Sequence, residues 1–337
     1  MPDVVAGLAR PVAAGGDRPR LRMLLSSAGR RVALLRAFRS AAQGLGVDLE
    51  ICAGDLRPAW SPACVEADHA VTMPPASSPD FVGAMLSFCR RRGIDLVVPT
   101  IDTELSPLGH ARDRFDAIGT TVAVSSPVLV DMARDKLATA VFLAAADIPA
   151  PRTTTPEVLL AEGIDWPWPL LAKPRHGSSG FGVTLVHGRD EVRRLPAEPY
   201  VVQELLRGRE FTVNLYFDAA GQLGSAVPHE RIKVRSGEVE KGVTSRHPLL
   251  CDLGRRLALA LPGPRGALCF QAFLADDGSA SIFEINARFG GGYPLADRAG
   301  ATFARWLLEE RLGRASSIGD AWRDGVMMLR YDDAVFV

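Results

Sequence analysis

The chain has 337 residues with 39 basic and 39 acidic side chains, a length that allows two or three domains with substantial hydrophobic cores. The balanced charge, the aromatic content of 7% and the lack of a basic block argue against a nucleic-acid partner, and no apolar run approaches the roughly 20 residues of a membrane span. Five scattered cysteines without a C-x-x-C pair make a disulfide framework or zinc site unexpected, so a cytoplasmic protein is predicted.

Strands alternate with helices in the N-terminal third, after a tail over residues 1–20 that has no signal-peptide core and is predicted to be disordered. Sequence periodicity predicts strands over 21–25, 48–53, 95–100 and 121–125, a helix ending at residue 42, and helices over 80–92 and 105–115. This alternation predicts a Rossmann-like, doubly wound parallel sheet over residues 21–126. The first strand-to-helix turn lacks the G-x-G-x-x-G fingerprint, which argues against NAD binding.

Polar residues follow two of these strands. Because ligands of doubly wound sheets bind beyond the carboxyl ends of the strands, a candidate ligand rim is formed by Gly29, Arg30, Thr100, Asp102 and Glu104. The acidic residues could instead cap the following helix. Capping is the favoured interpretation for Glu104, and both interpretations stay open for Asp102.

The middle of the chain carries two lysines and a glycine-rich loop. A helix is predicted over 127–146, a linker over 149–156, and strands over 169–174 and 183–186 on either side of Gly177–Gly182. No Walker sequence is present, so the loop is predicted to be a hairpin flap whose backbone can approach phosphates closely. By itself the loop would be better interpreted as a plain flexible turn, and the strand lysine just before it favours the phosphate flap. Lysine is rare among the 39 basic residues, so its four occurrences are candidates for specific roles: Lys136, Lys173, Lys233 and Lys241.

Two further apolar strands are predicted over 199–206 and 208–217. The first carries Gln203 and Glu204 near its end, and the second opens with Glu210. Near a nucleotide, an acidic residue could accept the ribose hydroxyls and the backbone at the strand end could meet adenine. On the residues alone, solvated strand ends are the favoured interpretation of both glutamates.

Residues 228–247 form the most charge-dense stretch of the chain. Arg231, Lys233 and Arg235 alternate along one predicted strand face, an arrangement suited to a carboxylate or a phosphate. A solvated charged face is the alternative, and for Arg231 and Lys233 both interpretations stay open. His229 and His247 lack metal-ligand spacing and are interpreted as polar loop residues rather than catalytic bases.

Residues 270–292 contain a predicted hairpin with a polar row. Asp277 and Gly278 between two β-prone runs predict a two-residue loop, which places Gln271 opposite Glu284. Strand alternation then separates a polar face (Ile282, Glu284, Asn286 and Arg288) from a core face (Phe283, Ile285 and Ala287). Carboxylate and amide oxygens suit Mg²⁺, and arginine suits a phosphate. A metal site and an ordinary half-solvated face are both open on this stretch alone.

Three glycines follow this row and lead into a helix from about residue 295. Bare backbone N–H groups near a helix N-terminus suit a carboxylate, so the carboxylate of an acyl substrate is predicted to bind at Gly290, Gly291 and Gly292. Residues 295–312 and 325–331 are predicted to be packing elements.

Taken in order, the two lysines, the glycine flap, the acidic strand ends and the polar row resemble the ATP-grasp superfamily. The resemblance is to its carbamoyl-phosphate-synthase-like, biotin-carboxylase-like branch and to related short amino-acid ligases, and it covers Leu21 to Val337. It implies an α/β (α+β ATP-grasp) fold. A Rossmann-like preATP-grasp domain would occupy residues 21–126, a subdomain with a mobile glycine-rich lid and a connecting helix 127–205, and a C-terminal subdomain with the Mg²⁺ and phosphate site 206–337.

The resemblance also implies roles for individual residues. ATP would be bound by Lys136, Lys173, Gly177, Ser178, Ser179, Gly180, Gly182, Gln203, Glu204, Leu205, Leu206, Glu210 and Gln271. One or two Mg²⁺ ions, for which Mn²⁺ could substitute, would be held by Glu284, Asn286 and Gln271, the last standing where many members carry a carboxylate. Catalysis would involve Arg288, Lys173, Arg231 and Lys233. Substrate would be bound by Gly290, Gly291, Gly292, Gly29, Arg30 and Asp102.

Family enzymes transfer the γ-phosphoryl group of ATP to a carboxylate, and an amine then displaces phosphate. The resemblance therefore implies an ATP-dependent carboxylate–amine ligase with small-molecule substrates, with neither a nucleic-acid nor a membrane partner and with a homodimer as an option. The alternatives are a phosphotransferase or carboxyphosphate-type enzyme and a non-catalytic ATP-binding module. The complete set of Glu284, Asn286, Arg288 and two lysines argues against the last.

Overall fold

Two sheets of this protein share the two large hydrophobic cores, and a third sheet has a smaller core of its own. The structure, a computed structural model, describes residues 18–161, 165–177 and 180–337. The predicted tail falls mainly on residues 1–17, outside this range, and the first strand already begins at Arg20. Within the described residues, no helix is both long enough and apolar enough to cross a membrane.

The N-terminal third forms a five-stranded parallel sheet, which confirms the predicted doubly wound arrangement. The strands, in the spatial order β3-β2-β1-β4-β5, are β1 (Arg20–Ser26), β2 (Asp48–Asp55), β3 (His69–Thr72), β4 (Leu96–Pro99) and β5 (Thr121–Val122). The helices are α1 (Val32–Leu45), α2 (Pro62–Glu66), α3 (Phe81–Arg92), α4 (Asp102–His110) and α5 (Arg112–Asp116). Met23 and Leu25 pack with α1 on one face, and Leu24 packs with α3 and α4 on the other. Strand β3 was not predicted because it is a short, largely exposed edge strand without apolar alternation.

Glu104 ties together the carboxyl ends of β1 and β4. Its fully buried carboxylate accepts hydrogen bonds from the backbone N–H groups of Thr100 (2.7 Å) and Ile101 (3.1 Å) and from the Ser27 hydroxyl (2.9 Å). The favoured interpretation of Glu104 as a cap of the following helix is therefore confirmed.

The helix predicted over 127–146 is two helices, α6 (Pro127–Arg134) and α7 (Lys136–Ala145), separated by Asp135. Asp135 adopts an extended backbone conformation, and its carboxylate accepts from the N–H groups of Leu137 (2.9 Å) and Ala138 (3.2 Å). Arg175 holds the same carboxylate through two nitrogens. The prediction missed the break because aspartate as a helix cap is easily overlooked inside an apolar periodic run.

A four-stranded antiparallel sheet carries the glycine flap. Its strands, in the order β6-β9-β7-β8, are β6 (Thr153–Thr154), β7 (Leu170–Pro174), β8 (Thr184–Val186) and β9 (Tyr200–Glu204), with helices α8 (Pro156–Ala161) and α9 (Arg189–Val192). Strands β7 and β8 pair as a hairpin around residues 175–183. The separate core of this sheet includes Trp166, Leu170 and Val202.

The C-terminal part forms a six-stranded antiparallel sheet that packs against the N-terminal layer. Its strands, in the order β14-β13-β10-β11-β12-β15, are β10 (Arg209–Phe217), β11 (Leu223–Arg235), β12 (Glu238–Thr244), β13 (Gly266–Leu274), β14 (Ala280–Asn286) and β15 (Met327–Leu329). Its helices are α10 (Pro248–Ala260), α11 (Tyr293–Ala299) and α12 (Phe303–Arg311). Phe38 of α1 and Phe303 of α12 lie in one hydrophobic cluster, so the two larger sheets are held together through a shared core. The mixed fold with a parallel N-terminal layer is as predicted.

Gly208, just before β10, provides a test of this packing. Its φ is +120°, and a Cβ there would lie 2.2 Å from the carbonyl oxygen of Leu274. We expect Gly208→Ala to lower the free energy of unfolding by about 3 kcal/mol or more, since backbone strain and a steric clash add. Gly278→Ala is the matched control, because Gly278 has a φ of +83° but open space around it, and its strain alone should cost about 1 kcal/mol. If urea denaturation gave the same loss of unfolding free energy for Gly208→Ala and Gly278→Ala, the predicted steric clash at Gly208 would be contradicted.

Candidate active site

Three cavities meet at the end of β14. The inter-sheet cavity, about 390 Å³, lies between the four-stranded and six-stranded sheets. The arginine cavity, about 140 Å³, lies beside Gly290–Gly292. The α4 cavity, about 370 Å³, lies between the start of α4, α6 and β14. Glu284 lines all three, so whatever binds in one cavity can meet what binds in the next at this carboxylate.

The inter-sheet cavity collects most of the residues predicted to bind ATP. Those that line it are Lys136, Lys173, Gly177, Gly180, Gln203, Glu204, Leu205, Leu206, Glu210 and Gln271, together with Glu284 and Arg231. Apolar walls come from Leu171, Phe273 and Phe283. A mainly apolar cavity that is also lined by charged side chains suits a ligand with a flat apolar ring and an anionic tail.

Three predicted flap residues stand apart. Ser178 and Ser179 lie outside the described residues. Gly182 does not line a described cavity; its carbonyl accepts the Tyr200 hydroxyl (3.0 Å), and a Cβ there would lie 2.8 Å from Pro174. The prediction that Gly182 contacts ATP is therefore not supported by its position, because this glycine closes the base of the hairpin.

Lys173 is held in place by a chain of side chains across the four-stranded sheet. Its Nζ, on a side chain only 4% exposed, donates to Gln203 Oε1 (2.8 Å), and Gln203 Nε2 donates to Thr153 Oγ1 (2.7 Å). Burial lowers the pKa of Lys173 to about 8. Lys136 begins α7, and its Nζ donates to the carbonyl of Gly177 (2.9 Å). Burial also lowers the pKa of Lys136, against the raising effect of Glu284.

The lowered pKa of Lys173 predicts a pH effect on stability. An unfolded lysine keeps its proton up to about 10.5, so between about pH 8 and 10.5 the folded protein binds fewer protons than the unfolded chain, and stability should rise with pH. We expect Lys173→Met to reduce this rise, measured by urea denaturation at about pH 7.5 and about pH 9.5. Lys241→Met removes an exposed lysine of β12 and should leave the rise unchanged. If stability rose equally with pH in Lys173→Met and in the wild-type protein, the rise would not come from the lowered pKa of Lys173.

Glu204 and Glu210, the two acidic residues at the strand ends, have different partners within the protein. One carboxylate oxygen of Glu204 accepts the N–H of Arg152 (3.0 Å). Glu210 lies 2.8 Å from Nε of Arg231. Burial raises the pKa of Glu210, which the Arg231 guanidinium partly offsets. Both glutamates face the cavity, so the interpretation as merely solvated strand ends is not the better one.

The β13–β14 hairpin has the predicted pairing of Gln271 with Glu284, but its loop differs from the predicted one. Gln271 does pair with Glu284, but the loop is longer than predicted, because the N–H of Ala275 bonds to the carbonyl of Ser279 (2.8 Å) and three residues lie between them. A bulge between Gln271 and Ala272 offsets the extra loop residue.

The bulge also changes which side chains face the site. Ile282 is fully buried in the core, whereas the partly buried Phe283 lines the inter-sheet cavity next to Glu284. The predicted alternation was therefore wrong at these two positions, because one inserted residue reverses the faces of the strand before it.

Beyond the bulge, the polar row forms a hydrogen-bonded chain. Asn286 Nδ2 donates to Glu284 Oε1 (3.1 Å), and Arg288 Nη2 donates to Asn286 Oδ1 (3.1 Å) and to Asp102 Oδ2 (2.7 Å). Burial alone would lower the pKa of Arg288, but Asp102 raises it above its ordinary value. Asp102 thus connects the N-terminal sheet to the polar row, and it forms an ion pair as well as starting α4.

The donor set suits a magnesium ion that shares its ligands with a phosphate. Glu284, Asn286 and Gln271 offer one carboxylate and two amides, all with hard oxygen donors. Among the described residues, no group of three or more His, Cys, Asp or Glu side chains could hold a metal ion. Mg²⁺ usually takes one or two protein carboxylates and completes its shell with substrate phosphates and water, so these residues fit it.

The arginine cavity contains residues that the sequence interpretation missed. Besides the predicted Arg30, Arg231 and Arg288, it is lined by Arg31 and Glu238. Arg31 lies 3.4 Å from Glu238. Arg31 and Glu238 were missed because they come from segments far apart in the sequence. The only sequence signal for this cavity was the pair of arginines, Arg30 and Arg31, after the first strand.

Packing accounts for the three glycines beside this cavity. A Cβ at Gly290 would lie 3.0 Å from Cys269 Sγ, one at Gly291 2.8 Å from Glu238 Cδ, and one at Gly292 2.5 Å from His229 Nε2. All three glycines line the cavity, but side chains of the protein itself already occupy their other side. His229 is fully buried on β11, and burial lowers its pKa to about 3, so its interpretation as a polar loop residue was wrong.

Besides Gly182, two further predicted site residues lie outside the described cavities. Lys233 is exposed and pairs with Glu240 (2.9 Å), because irregularities on either side of it break the alternation that begins at Arg231. Gly29 forms the turn after β1, where its N–H donates to Asp55 Oδ2 (3.0 Å). Catalysis by Lys233 and substrate binding by Gly29 are therefore not supported by their positions.

Comparison with known proteins gives two family matches. The model of the PylC-like N-terminal domain matches residues 23–123, and that of the ATP-grasp domain matches residues 133–292. No curated protein matches the chain by sequence.

Solved structures share the fold at low identity. Biotin carboxylase from Campylobacter jejuni superposes with a TM-score of 0.72 at 14% identity, over 90% of this chain and 73% of that one. The biotin carboxylase domain of 2-oxoglutarate carboxylase from Hydrogenobacter thermophilus, solved as a dimer with MgADP, ADP and bicarbonate, gives the same four values. N5-carboxyaminoimidazole ribonucleotide synthetase from Thermotoga maritima gives 0.66 at 15% identity, over 89% and 78%.

Proposed function

The chain belongs to the ATP-grasp superfamily, with a preATP-grasp N-terminal domain, and on this premise we propose that it is an ATP-dependent ligase. It joins a small carboxylate to a small amine through an acylphosphate. The observation that carries this proposal is the junction of three cavities at Glu284, where two lysines, a carboxylate–amide row and Arg288 surround one point.

ATP occupies the inter-sheet cavity in this proposal. The adenine lies between the apolar walls near Leu205 and Leu206, and Glu210 faces the ribose. The triphosphate points to the buried ammonium group of Lys173 and the half-buried one of Lys136. Burial lowers the pKa of both lysines, and a bound anion would stabilise their charged forms. Mg²⁺, held by Glu284 with Asn286 and Gln271, would neutralise phosphate charge when bound.

The acid occupies the arginine cavity. Its four arginines outnumber its two glutamates, Glu238 and Glu284, so a carboxylate is favoured there. Arg288, fixed by Asp102, faces the moving phosphoryl group. A carboxylate oxygen forms a bond to the γ-phosphorus while the bond to ADP breaks, and ADP leaves with the electron pair.

The second step forms the C–N bond. The amine nitrogen attacks the acyl carbon, the bond from that carbon to the phosphate oxygen breaks, and inorganic phosphate leaves with the electron pair. The nitrogen loses a proton, so one amide, ADP, phosphate and a proton are the products. A closed flap excludes water that would otherwise hydrolyse the acylphosphate.

The test is a screen of carboxylate and amine pools with ATP and Mg²⁺, followed by ADP release and by mass detection of the product. ADP release that requires an acid–amine pair, together with a dehydrated adduct, supports the ligase. A persistent phosphorylated acid would indicate a phosphotransferase, and ADP release dependent on bicarbonate alone would indicate carboxyphosphate chemistry. ATP binding without turnover on any pool would indicate a non-catalytic module.

A further inference from the structure

The α4 cavity lies at the topological switch point of the N-terminal sheet. The strand order β3-β2-β1-β4-β5 reverses direction between β1 and β4, and the turns that follow these two strands supply Arg31 and the residues Thr100–Thr103 to the cavity. Open parallel sheets bind ligands in this crevice. The opposite wall is Glu284 to Arg288 of the polar row, so a ligand in the crevice lies next to the reacting groups.

One side of this cavity offers carboxylate oxygens that the protein leaves open. Oδ2 of Asp102 accepts from Arg288 and Oε1 of Glu284 accepts from Asn286. Within the described ranges, the second oxygen of each carboxylate, Asp102 Oδ1 and Glu284 Oε2, accepts no hydrogen bond. Glu284 is the proposed carboxylate ligand of Mg²⁺, so Asp102 Oδ1 is the oxygen that favours a cation with several N–H donors.

The cavity also offers a cation with no partner of its own. Arg134, the last residue of α6, lines the cavity and is half-buried. Across the described part of the chain, its guanidinium makes no ion pair or side-chain hydrogen bond, in contrast to Arg31, which lies beside Glu238, and Arg288, which pairs with Asp102. A half-buried guanidinium without a partner can bind a planar carboxylate through two N–H groups.

We infer that the α4 cavity binds the amine substrate and that this substrate is an amino acid. Its ammonium group contacts the open oxygen of Asp102, and its own carboxylate contacts Arg134, which makes Arg134 a specificity-determining residue. Ile101, Leu105 and Val130 form an apolar wall for the side chain. The inference rests on the proposed ligase function and adds the class of the amine and its place.

Hydroxylamine separates the two steps of the reaction. It traps an acylphosphate as a hydroxamate: its nitrogen bonds to the acyl carbon, and phosphate leaves. This small neutral nucleophile has no carboxylate for Arg134 to bind. The assay contains ATP, Mg²⁺ and each carboxylate of the pools in turn, with hydroxylamine as the trap. Amide formation is then measured with each amino acid and with the corresponding amino-acid amide, which lacks the free carboxylate, as the amine.

The wild-type protein is expected to use amino acids in preference to their amides. Arg134→Gln should lower kcat/KM for the amino acid by about tenfold or more, since hydrogen bonds to a charged group are lost, while kcat/KM for the amide and the hydroxamate yield fall far less. Arg134→Lys should restore part of the preference. Arg91→Gln, an exposed arginine of α3, is the matched control and should change neither reaction.

Two results would overturn the inference in distinguishable ways. If Arg134→Gln lowers hydroxamate formation as much as amide formation, or leaves the preference for free amino acids intact, Arg134 does not recognise the amine. If the wild-type protein forms no hydroxamate with any acid, the acylphosphate of the proposed function is absent and the inference falls with it.

Discussion

Glu284→Gln is expected to lower Mg²⁺-dependent turnover by about 10³-fold or more while leaving the protein folded. Glu284 is the one carboxylate of the three predicted metal donors, and it lies where the three cavities meet. Glutamine keeps an oxygen that can accept from Asn286 Nδ2, so the change removes charge rather than packing. Turnover is measured as ADP release during a Mg²⁺ titration, and Glu284→Ala should show the same loss.

The control for this variant is Glu230→Gln. Glu230 lies on β11 of the same sheet and pairs with Arg209 (3.2 Å), but it lines no described cavity. Its variant should keep near-normal turnover, and both variants should show native circular dichroism. Near-normal turnover in Glu284→Gln, or an unchanged Mg²⁺ requirement, would rule out the metal assignment.

Arg288→Gln is expected to reduce turnover by about 10³-fold, because a guanidinium at a transferred phosphoryl group stabilises charge that builds up in the transition state. Arg288→Lys should recover little, since an ammonium cannot bond to Asp102 and Asn286 in the same planar geometry. Single-turnover measurement of ADP formation reports this step directly.

Arg311→Gln separates the catalytic loss from a loss of stability. Arg311 pairs with Asp95 at 3.1 Å with 17% and 18% of the two side chains exposed, close to the 2.7 Å, 13% and 23% of the Arg288–Asp102 pair. Both variants leave an aspartate without its partner, so their melting temperatures should fall by similar amounts. If turnover also falls equally, the effect of Arg288 is structural and its catalytic role is disproved.

The residues that titrate or carry charge in the site were largely found from local patterns. Lys136 and Lys173 were singled out because lysine is rare in this chain, and both line the inter-sheet cavity. The pairing of Gln271 with Glu284 followed from an Asp-Gly turn signal, although a longer loop and a bulge together produce it. Here two local errors offset each other.

The remaining errors have a common cause. Lys233 lies outside the cavity and Phe283 lines it because a bulge reverses the faces of each strand. The sequence carries no sign of a bulge at either place. His229 is buried because α11 and its glycines pack over β11, a contact between segments more than sixty residues apart. Such contacts depend on the whole fold.

The sequence by itself determined the alternation of the N-terminal layer, the flap, and the polar row with its order of carboxylate, amide and guanidinium. These follow from periodicity and side-chain chemistry, which act over a few neighbouring residues. Only the tertiary structure decided that Asp102 holds Arg288 and that Arg31 and Arg134 face the same junction as Glu284. The packing of separate sheets brings these residues together, and no local periodicity encodes how the sheets meet.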